Sequence, residues 1–219
     1  MQYELKDQVA IISIDDGKAN AVGHNFVDSL NQYLEQAESE ASAVVLHGRA
    51  GVFSAGFDLK ELGKGAKEAE MLVGKGMLLL ERLYAFPKPL ISICDGHAIG
   101  MGAFILLASD TRLGSLSDYK VSLPETSIGM PFNDTLMSVV QARVNPLYKV
   151  IAALQSYVFT PKEAVTAGFL DKAVDAEQLM PMALKIAQDL IKLPAAHYKI
   201  NKLHLREGEL KIMRASLGL

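Results

Sequence analysis

Two glycine-rich stretches and one proline-led loop hold the residues of this chain that could do chemistry. The first stretch reads Phe53-Ser54-Ala55-Gly56-Phe57-Asp58-Leu59-Lys60-Glu61-Leu62, and the second, from Cys94 to Asp110, reads CDGHAIGMGAFILLASD. In the second, Gly96, Gly100 and Gly102 permit a sharp turn between the apolar, partly β-branched Pro89 to Ile93 and the uniformly apolar Ala103 to Ala108. A strand that turns through glycines into a helix leaves the first N–H groups of that helix unpaired. With the positive end of the helix dipole, they suit an anion or a carbonyl oxygen gaining negative charge. The first stretch sets small residues before DLKEL, which reads either as an Asp-capped helix start or as a second source of backbone N–H groups. Tight packing alone is the plainer use of such turns.

The loop Leu123-Pro124-Glu125-Thr126-Ser127-Ile128-Gly129 has little periodicity and reads as ordered. Its carboxylate, Glu125, is either an acid/base group or a solvated side chain. Asn133 or Asp134, standing just before a helical pattern from Thr135, reads as a helix cap. His24, His47, His97, His197 and His204 are scattered without ligand spacing, and Cys94 with His97 makes no complete set, so no metal is expected. Ser54 has no evident base partner.

The elements that must position these residues follow from pattern. Val9 to Ile14 reads as a strand closed by Asp15-Asp16-Gly17. Phe26, Leu30, Tyr33, Leu34 and Ala37 recur at helical spacing, and Ala43 to Leu46 is a second buried strand ended by Gly48 to Gly51. Strand, helix, strand predicts a crossover unit. Gly63 to Lys67 reads as a loop. A long helix through Met71, Leu72, Leu78, Leu79, Leu83 and Phe86 stops at Pro87-Lys88-Pro89, with Met71 and Met77 as core filler. Thr111 to Gly114 reads as a short strand, and Thr135 to Val144 and Leu147 to Leu154 as helices. Thr160-Pro161-Lys162-Glu163 supplies a cap, a proline at the first helical position and a glutamate at N3. Gly168 ends that helix, Phe169 to Val174 returns as a strand, and Leu179 to Leu193 and Ala195 to Leu205 are helices divided by Pro194. The expected division is a core over 1–193 and a helical segment over 194–219, with no linker between them.

Composition narrows the function classes. The chain has 219 residues, half of them hydrophobic, which suffices for one large core. A net charge of -3 offers no basic field for nucleic acid. No apolar run reaches membrane-spanning length, and MQYELKDQ lacks the order of a signal peptide. The single cysteine, Cys94, sits among apolar neighbours and predicts a buried, inert thiol in a reducing, cytoplasmic setting.

Taken together and in order, FSAGFDLKEL, GHAIGMGAFILLASD, LPETSIG and TPKEAVTAGFLDKAVD resemble the crotonase superfamily, the enoyl-CoA hydratases and isomerases. The likeness runs from about Val9 to Leu205. It implies an α/β, crotonase-like spiral of repeated ββα units. It also implies an acyl-CoA thioester as substrate, coenzyme A as part of that substrate rather than a separate cofactor, and a homotrimer or dimer of trimers. The family usually runs some tens of residues further. Here only Glu207 to Leu219 follow, so a shortened helical C-terminal end is expected.

By that resemblance the thioester oxygen sits between the backbone N–H groups of Phe57 and Met101. The family usually has glycine where Met101 stands; the donor is main chain, so methionine keeps it. Ala55, Gly56, Asp58, Leu59 and Gly100 are expected to hold coenzyme A, with Lys18 a further candidate, and Phe104, Met130 and Phe132 to line the acyl pocket. Hydratases of the family use two glutamates. Here one is Glu125 and the other position is Phe104, a pattern shared with members that shift a 3-enoyl double bond to the 2 position. Glu125 is then the sole acid/base. Counted without a gap, Asn133 falls where dienoyl-CoA isomerases and 4-chlorobenzoyl-CoA dehalogenase carry a catalytic aspartate. One inserted residue would put Asp134 there, a hydrolase or dehalogenase reading weakened by the tryptophan the latter has in place of Glu125. Hydration with Glu125 alone and acyl-CoA binding without chemistry complete the alternatives.

Overall fold

A computed structural model describes all residues, 1–219. Its frame is a six-stranded sheet in the order β1-β2-β3-β5-β7-β9, from β1 (Gln2–Lys6), β2 (Val9–Ser13), β3 (Ala43–His47), β5 (Leu90–Cys94), β7 (Thr111–Ser115) and β9 (Lys172–Val174). Only β1 pairs antiparallel; the remaining pairs are parallel. Three of these strands run directly into a second sheet, ordered β4 (Gly51–Ser54), β6 (Gly96–Ile99), β8 (Val121–Ser122), all parallel. The repeating unit is thus a strand in the large sheet, a strand in the small one, and then a helix or loop. This is the crotonase-like spiral of ββα units that the sequence motifs imply.

Alternation along the large-sheet strands sorts side chains into two layers, because successive residues face opposite sides. Val9, Ala43, Val45, Ile91 and Ile93 meet Leu179, Ala183 and Ala187 of α7 (Ala176–Leu190) on one side. Ala10, Ile12, Val44 and Leu46 face the main core on the other, with α1 (His24–Glu40), α3 (Ala66–Tyr84), α4 (Met101–Ala108) and α5 (Asp134–Arg143). All eight residues of α4 are buried, as its uniformly apolar composition requires.

Several expectations are corrected. The chain does not pass from β5 straight through glycines into α4: β6 intervenes, and β4 likewise precedes the first turn. The run from 147 to 154 is not one α-helix but a 3₁₀ turn, Pro146–Tyr148, followed by a π-helical turn, Val150–Leu154. Helix α3 starts at Ala66, inside the segment read as a loop, and Met71 is exposed rather than core. At α6 (Pro161–Ala167) the capping box forms as read, with Gly168 in the left-handed C-cap position. Cys94 is buried, bonded to the Gly96 carbonyl at 3.1 Å, and burial pushes its thiol up to about 12.

After Pro194 come α8 (Ala195–Leu205) and α9 (Glu207–Leu217). Leu210 and Met213 of α9 enter the main core, so the segment over 194–219 packs as part of the same body. No helix is long and apolar enough to cross a membrane.

Candidate active site

The three strands of the small sheet are neighbours and parallel, so their carboxyl ends open at one edge. The segments that leave them are Ala55 to Phe57 after β4, Gly100–Met101 after β6, and Leu123 to Glu125 after β8. The crevice beyond such strand ends is where α/β sheets place ligands. β6 is the middle strand, so its turn lies between the other two segments.

The first turn is fastened from outside. Val22 donates to the Gly56 carbonyl at 2.8 Å and accepts from Asp58 N–H at 3.1 Å, while Ala55 N–H donates to Ala19 O at 3.0 Å. Buried Asn20 ties β4 to the end of β2, its Nδ2 donating to Phe53 O at 3.2 Å and to Ile14 O at 2.9 Å, and Ser54 Oγ donates to Asn20 O at 2.8 Å. In such parallel pairing alternate residues turn their polar groups to opposite sides. Val22 takes Gly56 and Asp58, and the N–H of Phe57 between them donates to no group of the chain.

At the second turn Gly100 donates to Ser122 O at 2.9 Å and has φ 52 and ψ -123, a backbone that favours glycine. Met101 follows as the first residue of α4, so its N–H has no residue one turn back to bind and stays free. The turns converge: a Cβ on Gly56 would lie 3.5 Å from Met101 N and 2.9 Å from Ile99 O. The two free N–H groups therefore belong to backbone segments in direct contact.

Glu125 completes the edge. Its loop is ordered by bonds from Ile128 N–H to Pro124 O at 3.1 Å, Met130 N–H to Glu125 O at 2.8 Å and Thr126 Oγ1 to Ala153 O at 2.7 Å. The carboxyl is only 6% exposed, and Oε2 has no hydrogen-bond partner. A Cβ on Gly100 would lie 3.2 Å from Glu125 Oε1, which sets the carboxyl against the second turn. Burial raises its pKa to about 7.

These groups face a cavity of about 560 Å³ whose lining is mostly apolar. Of the expected site residues, Ala55, Gly56, Phe57, Leu59, Gly100, Met101, Phe104, Glu125 and Met130 line it. Three do not. Asp58 caps α2 (Leu59–Leu62), its Oδ1 accepting from Lys60 N–H at 2.8 Å and Glu61 N–H at 3.3 Å. Phe132 stands beside the cavity wall, edge-on to Phe104 with ring centroids 6.1 Å apart. Asp134 is exposed at the first position of α5 and does not reach the cavity. Its neighbour Asn133 does line it, while Asn133 Oδ1 accepts from Leu136 N–H at 2.9 Å as the helix cap. Lys18 is exposed, and no bond engages its ammonium.

Sequence reasoning missed Leu62, Val73, Met77, Ile99 and Leu136 as lining residues. The signal available was the i, i+4 pair Val73 and Met77 on one face of α3, which reads equally well as core. His97 is packed, accepting from Lys120 N–H at 3.0 Å through Nδ1. No group of three His, Cys, Asp or Glu side chains converges in a way that could hold a metal.

An apolar pocket at the ends of parallel strands, with two free amides and one buried carboxyl, is a site for stabilising charge on an oxygen while moving a proton nearby. Comparison with known proteins gives the family. Residues 4–212 match the family described as Enoyl-CoA hydratase/isomerase, and the chain belongs to it. It is similar to a probable enoyl-CoA hydratase of Bacillus subtilis, 30% identical over 228 residues that cover 96% of this chain and 86% of that protein. Among solved structures it matches an enoyl-CoA hydratase/isomerase family protein of Pseudomonas syringae at 34% identity and TM-score 0.95, over 99% of this chain and 94% of that one. It also matches the apo enoyl-CoA isomerase of Mycobacterium tuberculosis at 32% identity and TM-score 0.94, over 99% and 95% of the two chains.

Proposed function

We propose that the protein shifts the double bond of a 3-enoyl-CoA to the 2 position, with Glu125 as its single acid/base. One observation carries this reading: Glu125 is the only ionisable side chain lining the cavity. The thioester oxygen of the substrate lies between the N–H groups of Phe57 and Met101. Glu125 takes a proton from C2, the C2–H electron pair forms a C1–C2 π bond, and the thioester C=O π pair moves onto oxygen. As the carbonyl reforms, the C1–C2 pair shifts to C2–C3 and the former C3–C4 π pair binds the returning proton at C4. The negative charge of the dienolate between these steps rests on the thioester oxygen, where each fixed N–H donor contributes about 2.7–4 kcal/mol. A carboxyl with a pKa near 7 suits both directions of transfer.

Hydration asks for two groups gripping one water, and the position across α4 is Phe104, fully buried and without a polar atom. The acyl chain runs along Phe57, Met77, Phe104 and Leu136. Coenzyme A enters over the first turn, past Leu59, which is 74% exposed at the rim. Copies of the chain meet as a homotrimer or a dimer of trimers, an assembly mass that light scattering measures directly.

The test is an assay of 2-enoyl-, 3-enoyl- and aryl-CoA thioesters with wild type and Glu125→Gln. The reading expects 3-enoyl-CoA turnover that the substitution lowers by about 10²- to 10⁴-fold. Water addition to 2-enoyl-CoA outpacing isomerisation, or turnover indifferent to Glu125, would overturn it.

A further inference from the structure

Away from that cavity, the densest group of charges lies where α8 and α9 meet the C-terminal ends of α3 and α4. Lys202 Nζ donates to Asp110 Oδ2 at 2.8 Å and to Lys88 O at 3.2 Å. Arg206 donates to Asp110 Oδ1 at 2.9 Å, Tyr84 O at 2.6 Å and Ala108 O at 3.1 Å. From the end of α5, Arg143 donates to Leu107 O at 3.1 Å and Ser109 O at 2.8 Å. Lys202 and Arg206 therefore share the Asp110 carboxylate, while Arg143 has only carbonyl partners. By formal charge the group holds three cations and one carboxylate, so two positive charges lack a carboxylate partner. What offsets the rest is carbonyl dipole alone, from the C-terminal ends of α3, α4, α5 and α8. Arg112 does not help, being matched by its own partner Asp171. Burial, then the cationic neighbours Arg112 and Arg206, pull Arg143 down to about 10, the direction such a surplus requires.

A cavity of about 440 Å³ opens onto this surplus, with His197, Tyr198 and Asn201 completing its wall. Donors remain to spare there. Arg143 Nη1, the side chains of His197 and Asn201, and the third ammonium proton of Lys202 bind no group of the chain. Partly buried cations are stable when paired, and free N–H donors beside unmatched positive charge select an oxyanion.

We propose that this cavity binds a small multivalent oxyanion, either a phosphate-bearing molecule or a di- or tricarboxylate. It shares no lining residue with the Glu125 cavity, so it stands apart from the reaction proposed above. Bound there, the anion ties α8 to the ends of α4 and α5 and stabilises the C-terminal helices against the core.

Thermal melts of the full chain in sodium phosphate, sodium citrate and sodium chloride at matched ionic strength test this. Phosphate or citrate should give a saturable rise over chloride, about 5–10 °C at a hundredfold excess over the dissociation constant. Whichever anion acts at lower concentration identifies the source. Asn201 is exposed and makes no side-chain bond, so Asn201→Asp leaves the fold intact while placing a carboxylate at the cavity wall. It should raise the melting temperature in chloride and abolish the anion response, and Arg143→Gln should weaken that response. No rise over chloride in wild type overturns the proposal. So does a response that both variants keep, since the anion then binds elsewhere. A melting temperature that follows protein concentration and ignores the anion also overturns it, because the surplus charge is then met by a second copy.

Discussion

Two buried carboxyl groups of this chain have opposite surroundings. Asp110 accepts from Leu90 N–H, Tyr198 Oη, Lys202 and Arg206, four donors at 2.8–3.0 Å, on a side chain 12% exposed. Glu125 is more deeply buried, yet Oε2 has no partner, and the walls around it are hydrocarbon, backbone and one asparagine. Burial without compensation penalises the charged form, and donors restore it. Asp110 is therefore an anchor for two cations, whereas Glu125 is held where burial favours its proton. Its unpaired oxygen is a cost to the fold that a proton-transfer site has a use for.

Exchanging or removing each group should break that contrast in a graded way. The largest effect is on chemistry: Glu125→Gln should cost about 10²- to 10⁴-fold in isomerase turnover while coenzyme A thioester binding, followed by calorimetry, changes little. Next comes Asp110→Ala, which strands Lys202 and Arg206. Urea unfolding should show a loss of about 3–5 kcal/mol.

The contrast sharpens with pH. The folded pKa of Glu125 is raised from 4.5 to about 7, so the stability gained by keeping the proton is fully present below 4.5 and lost as pH rises through 7. Glutamine cannot ionise and escapes that loss. Glu125→Gln should therefore be more stable than wild type by roughly 3 kcal/mol at pH 8 and nearly equal to it at pH 4. Turnover by wild type should rise with pH and level off above about 7, as the carboxylate form fills.

The smallest effects lie at the start of α5. Asn133→Ala removes the cap on Leu136 N–H and should cost about 1 kcal/mol. Asp134→Ala, at an exposed position outside the cavity, should change stability by no more than about 0.5 kcal/mol and leave turnover as it was. Loss of activity there would mean that Asp134 reaches the substrate, and the acid/base assignment would move.

The sequence by itself determined the features that depend on a few neighbouring residues. These are the strands β2, β3, β5 and β7, the helices α1, α3 and α7, the capping box at Thr160 and Glu163, the two glycine turns and the loop that carries Glu125. Each is written in a period, a cap or a turn residue. Strands β4, β6 and β8 were not legible, because two to four residues carry no period, and β6 hides inside the glycine-rich stretch itself. Their parallel pairing alone brings Phe57, Met101 and Glu125 to one edge across some seventy residues of chain. The same holds for charge. Nothing in the types of Glu125 and Asp110 tells them apart. Which one is left unpaired depends on donors supplied by Lys202 and Arg206, some ninety residues further on and brought back only when α8 and α9 dock. Solvation of a carboxyl is set by what surrounds it in space, and only the tertiary structure decides that.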